Sequence, residues 1–230
     1  MTNENEQTAV VLFSGGIDST ITLEQAIEEN DTIYPVFIEY GQNHLVPERK
    51  ASKEIVKIRQ LVKEETDGSL EDVEIFGVDY KLFDKEADSG LLGGENGFTG
   101  TDEEGVHNAF VPARNTLMIS HAYAVAEIVD ADRIYVGFNG DDAEAFPDCT
   151  KDFIDSIQRT MTLGSRQPDK EYEVVAPLYD KSKYEIGEYA AELGVNPVFL
   201  ALSHSAYDED EEDDAENLRQ DVFEGFRDAQ

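Results

Sequence analysis

Apolar residues in this chain fall into short continuous runs separated by amphipathic stretches. Residues 9–13 are an unbroken apolar block and 33–40 a largely apolar one, as strands buried on both faces require. Residues 73–78, 133–138 and 172–176 repeat the pattern, which predicts about five strands. Between them, apolar positions recur at helical spacing. A helix is expected over 19–28, with Ile21, Leu23, Ala26 and Ile27 inward, and another over 46–65, with Pro47 in its first turn. Further helices are expected over 114–129, 153–163, 181–193 (ended by Gly194) and 217–227. Residues 88–108 are rich in Gly, Asp, Glu and Asn and predict a long loop. Alternating strands and helices imply a doubly wound parallel α/β sheet, whose ligands bind beyond the carboxyl ends of its strands. The segments 14–16, 40–42 and 138–147 fall at such ends. The expected organisation is a polar tail (1–8), an α/β domain (9–195) and a small, acidic, partly helical C-terminal lobe (196–230).

Charge narrows the function classes. Eighteen Lys and Arg face 51 Asp and Glu, for a net charge of −33. Such a chain repels phosphate backbones and anionic lipid, so no nucleic-acid or membrane partner is expected. High charge fits either disorder or a folded protein of concentrated salt, where screening quiets self-repulsion. The aromatic content of 10% and the apolar strands favour the folded, halophilic alternative. One cysteine, Cys149, excludes an intramolecular disulfide. The polar start and the lack of any long apolar stretch predict a cytoplasmic protein.

The segment Leu12-Phe13-Ser14-Gly15-Gly16-Ile17-Asp18-Ser19-Thr20 joins the first strand to the first helix. Two glycines allow a tight turn that brings backbone N–H groups close to an anion. The helix start adds the positive end of its dipole, and Ser14, Ser19 and Thr20 add hydroxyls. Asp18 would repel phosphate by itself, which points to a bridging Mg²⁺. The chain has no G-x-x-x-x-G-K-S/T loop. The bland alternative is a plain turn with Asp18 or Ser19 capping the helix.

The S-G-G-x-D-S string resembles that of the pyrophosphatase-loop ATPases, which cleave ATP between the α- and β-phosphates. Four further segments choose among them: 39–44 with Glu48 (E-Y-G-Q-N-H), 110–116 (F-V-P-A-R-N-T), Gly137 to Cys149 with F-P-D-C at its end, and 177–185. Together they resemble the 7-cyano-7-deazaguanine synthase family, colinearly from about Val10 to Ser203. The resemblance implies a Rossmann-type, adenine nucleotide alpha hydrolase-like fold. It also implies a ligase that adenylates 7-carboxy-7-deazaguanine, takes ammonia to an amide, and uses a second ATP to dehydrate the amide to a nitrile. ATP would bind at residues 12–20, with Mg²⁺ at Asp18. Substrate would meet Tyr40, Gln42, His44, Arg114, Asn115, Asn139, Asp142 and Asp148, with Asp18 and Arg114 catalytic. A homodimer is the default assembly.

Two departures from the family stand out. Its four C-terminal zinc cysteines are replaced by His204, Asp210, Asp213 and Glu216, an N/O set weaker for Zn²⁺ than thiolates. Packing of Leu200, Leu202, Val222, Phe223 and Phe226 is the expected substitute. Thr150 stands where the family has Arg. Two other readings stay open: a related ligase acting on another carboxylate or macromolecule, and a catalytically degenerate nucleotide-binding paralogue.

Overall fold

The computed structural model describes residues 7–62, 69–77, 89–92, 100–101, 107–167, 169–204 and 214–230. Six strands form one sheet: β1 (Thr8–Leu12), β2 (Thr32–Glu39), β3 (Ser69–Leu70), β4 (Glu74–Gly77), β5 (Arg133–Tyr135) and β6 (Glu173–Val175). All pairings are parallel, in the order β3-β2-β1-β5-β6, with β4 also on β2. β3 and β4 share one edge. Ile33 pairs with Leu70 and Val36 with Glu74, so the edge chain carries one residue more than its partner and swings out at 71–73. The third strand expected at 73–78 is β4, and the short β3 before it was not expected.

The helices are α1 (Ile17–Glu29), α2 (Leu45–Leu61), α3 (Arg114–Val129), α4 (Gly140–Ala145), α5 (Lys151–Gly164), α6 (Lys183–Glu192), α7 (Pro197–Leu202) and α8 (Asp214–Asp228). Alternate residues of β1 serve opposite cores. Val10 packs with Ile119, Val125 and Ile157 of α3 and α5, while Ala9 and Val11 pack with Leu23, Ile27 and Ile55 of α1 and α2. Arg59 of α2 ties the second layer through Nε to Glu24 of α1 at 3.0 Å, with both side chains largely buried. α4 and α7 are six residues each, and α4 buries no residue, so neither carries an apolar stripe long enough to read from sequence. α5 starts where the Thr150 hydroxyl accepts the Phe153 N–H, which gives Thr150 a capping role of its own. Most of the loop expected at 88–108 lies outside the described residues. Among the described residues no helix is long and apolar enough to cross a membrane.

A third core joins the C-terminal lobe to the sheet. Leu200, Val222 and Phe226 are buried there with Ile17, Ile21, Leu178 and Ile186, and Phe223 packs at its edge. Leu202 instead joins the α1/α2 core. Gly187 of α6 lies against the Val222 carbonyl, and Gly225 of α8 against the Tyr184 carbonyl, each too closely for any Cβ. The two helices thus meet backbone to backbone. A Gly225→Ala change forces them apart and should lower unfolding free energy by about 1–3 kcal/mol. Urea denaturation at fixed salt measures this; an unchanged midpoint would show that the contact does not hold α8.

Candidate active site

The cavity lies at the carboxyl ends of β1, β2 and β5, where the strand order reverses. Its volume is about 480 Å³. Leu12, Phe13, Ser14, Gly16, Ile17, Asp18 and Ser19 form one wall, while Gly15 and Thr20 stand behind it. Gly15 takes φ of +82°, and a Cβ there would sit 2.6 Å from the Ser52 backbone nitrogen, so only glycine fits. The loop is braced internally. Ser14 Oγ accepts the Gly16 N–H and lies 3.1 Å from Ser19 Oγ, and the Ser19 and Thr20 hydroxyls donate to the Gly16 carbonyl. Gly16 occupies the N-cap of α1 and no side chain caps that helix. The capping role considered for Asp18 or Ser19 is therefore not the observed one. The helix start faces the cavity, a site suited to phosphate.

The Asp18 side chain points away from its own helix start. Its Oδ2 accepts from Lys183 Nζ at 2.6 Å and from Asn139 Nδ2 at 3.2 Å. Lys183 opens α6 and lies within the 177–185 motif, but it was not singled out from sequence. A lysine at a helix start ordinarily reads as solvated, and only the fold brings it to the loop. Asn139 does not line the cavity. Its Oδ1 accepts the Asp142 N–H, and its own N–H donates to Asp142 Oδ2, a reciprocal capping box for α4. Asp142 does line the cavity. Burial pushes its carboxyl up to about 6, with Lys183 opposing and Asp18 adding to the shift. Lys183 is held above its usual range: Asp18 and Asp142 outweigh the burial that would lower it.

Asp18 Oδ1 is buried and has no hydrogen-bond partner among the described residues. An orphaned carboxylate oxygen beside a phosphate loop fits a hard cation carried by a nucleotide.

The opposite wall comes from β2, α2 and α3. Tyr40 and Gln42 are buried. Gln42 Oε1 accepts the Tyr40 N–H, and its Nε2 donates to the Ile38 carbonyl and to Glu48 Oε2. His44 sits at the N-cap of α2 and does not line the cavity. The Arg114 guanidinium lies 5.9 Å from the Tyr40 ring centre. Ala113, just before it, takes φ of +58°, a strained conformation for alanine that turns the chain into α3. Asn115 is buried. Its backbone N–H donates to Asp148 Oδ2, and its Nδ2 to the Asp148 carbonyl and Cys149 Sγ. Asp148 is itself buried and is not part of the cavity wall. Burial raises its carboxyl, and Arg114 opposes the shift.

His204 and Arg219 bring the C-terminal lobe to the cavity. Arg219 donates to Ser203 Oγ at 2.9 Å and to the Leu200 carbonyl at 2.8 Å. The next residue's N–H, that of His204, donates to the Gly15 carbonyl. The His204 ring lies 5.9 Å from that of His44, inside the fold. Asp210, Asp213 and the Glu216 side chain lie outside the described residues. Among the described residues no three His, Cys, Asp or Glu side chains cluster as metal ligands. The chain's one thiol, Cys149, is held by Asn115 on the far wall, so a thiolate zinc site cannot form.

The parallel sheet and the glycine loop at its switch point define a doubly wound α/β protein. A family model described as "Queuosine biosynthesis protein QueC" matches residues 8–223. The chain belongs to this family. The 7-cyano-7-deazaguanine synthase of Acetivibrio thermocellus is 33% identical over 208 residues, covering 86% of this chain and 83% of that protein. The proteins of the same name from Trichodesmium erythraeum and Thermoplasma volcanium are 34% and 31% identical. The first match covers 81% of this chain and 82% of the other, the second 89% and 79%.

Cys149 is no activated nucleophile. Burial, then Asp142 and Asp148, push its thiol well above the usual range. Iodoacetamide at about pH 8 should modify it slowly in the native protein and rapidly after unfolding. Equal rates in the two states would contradict the burial.

Proposed function

We propose that this protein is a 7-cyano-7-deazaguanine synthase. Its cavity would hold ATP against the glycine loop and the deazaguanine carboxylate against Arg114. The observation that carries this is the convergence of five separated motif segments on one cavity: the loop at 14–19, Tyr40 with Gln42 and Glu48, Arg114 with Asn115, Asp142, and Lys183.

The carboxylate attacks the α-phosphorus of ATP, an acyl-adenylate forms and pyrophosphate leaves. The loop N–H groups, Ser14, Ser19 and Lys183 stabilise the charge that builds on the departing phosphates. Mg²⁺ held at Asp18 would supply further positive charge on the same oxygens. Asn139 and Lys183 fix Asp18 in place for that role. Arg114 neutralises the substrate carboxylate before adenylation. Ammonia then displaces AMP to give the amide. A second ATP activates the amide oxygen, and loss of AMP with the N–H protons leaves the nitrile. Asp142 offers a carboxylate to the N–H donors of the guanine-type face. The acidic exterior suits concentrated intracellular salt, with no nucleic acid as partner.

Protein in concentrated KCl with 7-carboxy-7-deazaguanine, ammonium and Mg-ATP should form the nitrile and AMP, detected by mass spectrometry. AMP without nitrile would point to a ligase with another acceptor. Neither product would point to a degenerate paralogue.

A further inference from the structure

We propose that Glu48 is a catalytic residue of this cavity that takes a proton from ammonium as nitrogen enters the reaction. The inference rests on the ligase reading and supplies a group that reading lacks. Ammonium, like a lysine side chain, keeps its proton at neutral pH and has no lone pair to offer. A base beside the activated carboxylate must remove one proton before nitrogen can attack.

Among the described residues four carboxylates line the cavity: Asp18, Glu48, Asp141 and Asp142. Asp18 is committed to Lys183 and Asn139, and Asp142 to the α4 cap and Lys183. Asp141 stands exposed at the rim. Glu48 remains. It sits in the first turn of α2, whose backbone runs against the phosphate loop at Gly15. Its Oε2 accepts one hydrogen bond from Gln42 at 3.1 Å, and no bond to Oε1 is found among the described residues. Gln42 cannot flip, because its oxygen accepts from Tyr40 and its nitrogen also donates to Ile38. It therefore presents an N–H to Glu48 and orients that carboxylate without neutralising it.

The charges around Glu48 come from several elements. Arg114 of α3 is the cation that acts on it. His44 lies on its own helix cap and His204 on the segment after α7, while Asp18, Asp142 and Lys183 belong to the loop side of the cavity. Burial outweighs the Gln42 bond and the Arg114 charge, and the carboxyl is raised to about 7. Glu48 thus exchanges its proton freely at neutral pH, as a base that must turn over requires.

The step balances as follows. Ammonium gives one proton to the Glu48 carboxylate, leaving ammonia and a carboxylic acid. The nitrogen lone pair forms a C–N bond to the acyl carbon. The C–O bond to AMP breaks, and AMP leaves with the bonding pair. Glu48 releases its proton to solvent and is free to accept the second surplus proton from nitrogen.

The test compares wild type with Glu48→Gln and Glu48→Asp. ATP–pyrophosphate exchange with the deazaguanine carboxylate, run without ammonium, reads adenylation alone. Glu48→Gln should keep this exchange while kcat/KM for total ammonium at pH 7 falls on the order of 10²–10⁴-fold. Glu48→Asp should recover part of the loss. In wild type, kcat/KM for total ammonium should rise with pH as Glu48 loses its proton and level off above about 7. In Glu48→Gln it should follow free ammonia and keep rising roughly tenfold per pH unit between about pH 6 and pH 8.5. A wild-type ammonium profile in Glu48→Gln overturns the proposal. Loss of exchange in that variant, or a matching rise in KM for the carboxylate, also overturns it, by assigning Glu48 to substrate binding. Wild type that forms neither pyrophosphate exchange nor nitrile fails the ligase reading itself, a separate outcome.

Discussion

The contact between Asp18 and Lys183, at 2.6 Å, is the joint on which the site depends. It links the first turn of α1 to the first turn of α6, 165 residues later in the chain. Both side chains are largely removed from water, so each charge has lost most of its hydration. A pair of this kind gives little net stability, but removing one partner leaves an uncompensated buried charge and costs about 3–5 kcal/mol. Its value here is positional. Asn139 adds a third element, since its amide both caps α4 and donates to Asp18. One carboxylate therefore registers the loop after β1, the turn after β5 and the helix after β6. Its second oxygen is buried and has no hydrogen-bond partner among the described residues.

This arrangement also places cations inside a strongly acidic protein. The net charge is −33, yet the cavity concentrates Arg114, Lys183 and Arg219 among the chain's 18 basic residues. Exposed acidic groups act through water and salt and fade within about 8–10 Å at ordinary ionic strength. Cations inside a walled cleft are screened much less. The local field at the loop is thus set by its few neighbours rather than by the surface total.

The glycine turn at residues 14–16 was legible in the sequence as a strand-to-helix junction, because both the strand before it and the helix after it have clear apolar patterns. The doubly wound sheet was legible for the same reason. What remained hidden depends on contacts between distant segments. Lys183 is an unremarkable lysine until α6 docks beside the loop. The burial that shifts Glu48 comes from the α2–β2 corner and cannot be read from its neighbours in the chain. Asn139 and Asp142 were expected to meet substrate directly, whereas the structure joins them first to each other. An Asn with an acidic residue three positions later is a capping pattern, and that local signal was available. Asp148 was expected at the substrate, but its carboxylate binds the start of α3 and reaches the site only through Asn115.

The C-terminal lobe shows how a helix can be held without a thiolate metal site. α8 presents Val222 and Phe226 to the third core, and each buried side chain of this kind contributes about 1.5–3 kcal/mol. The glycine contacts let its backbone approach α6 closely enough for that stripe to engage. Charge works against the docking. The Tyr184 phenol, at the seam of the two helices, is raised by burial first and then by Asp228, Glu188 and Glu224. Acidic groups of both helices therefore crowd the same edge. Salt weakens that exposed repulsion while leaving apolar burial in place. It acts far less on the buried Asp18–Lys183 pair. Through Arg219, Ser203 and the His204 N–H on the Gly15 carbonyl, docking of the lobe bears directly on the phosphate loop.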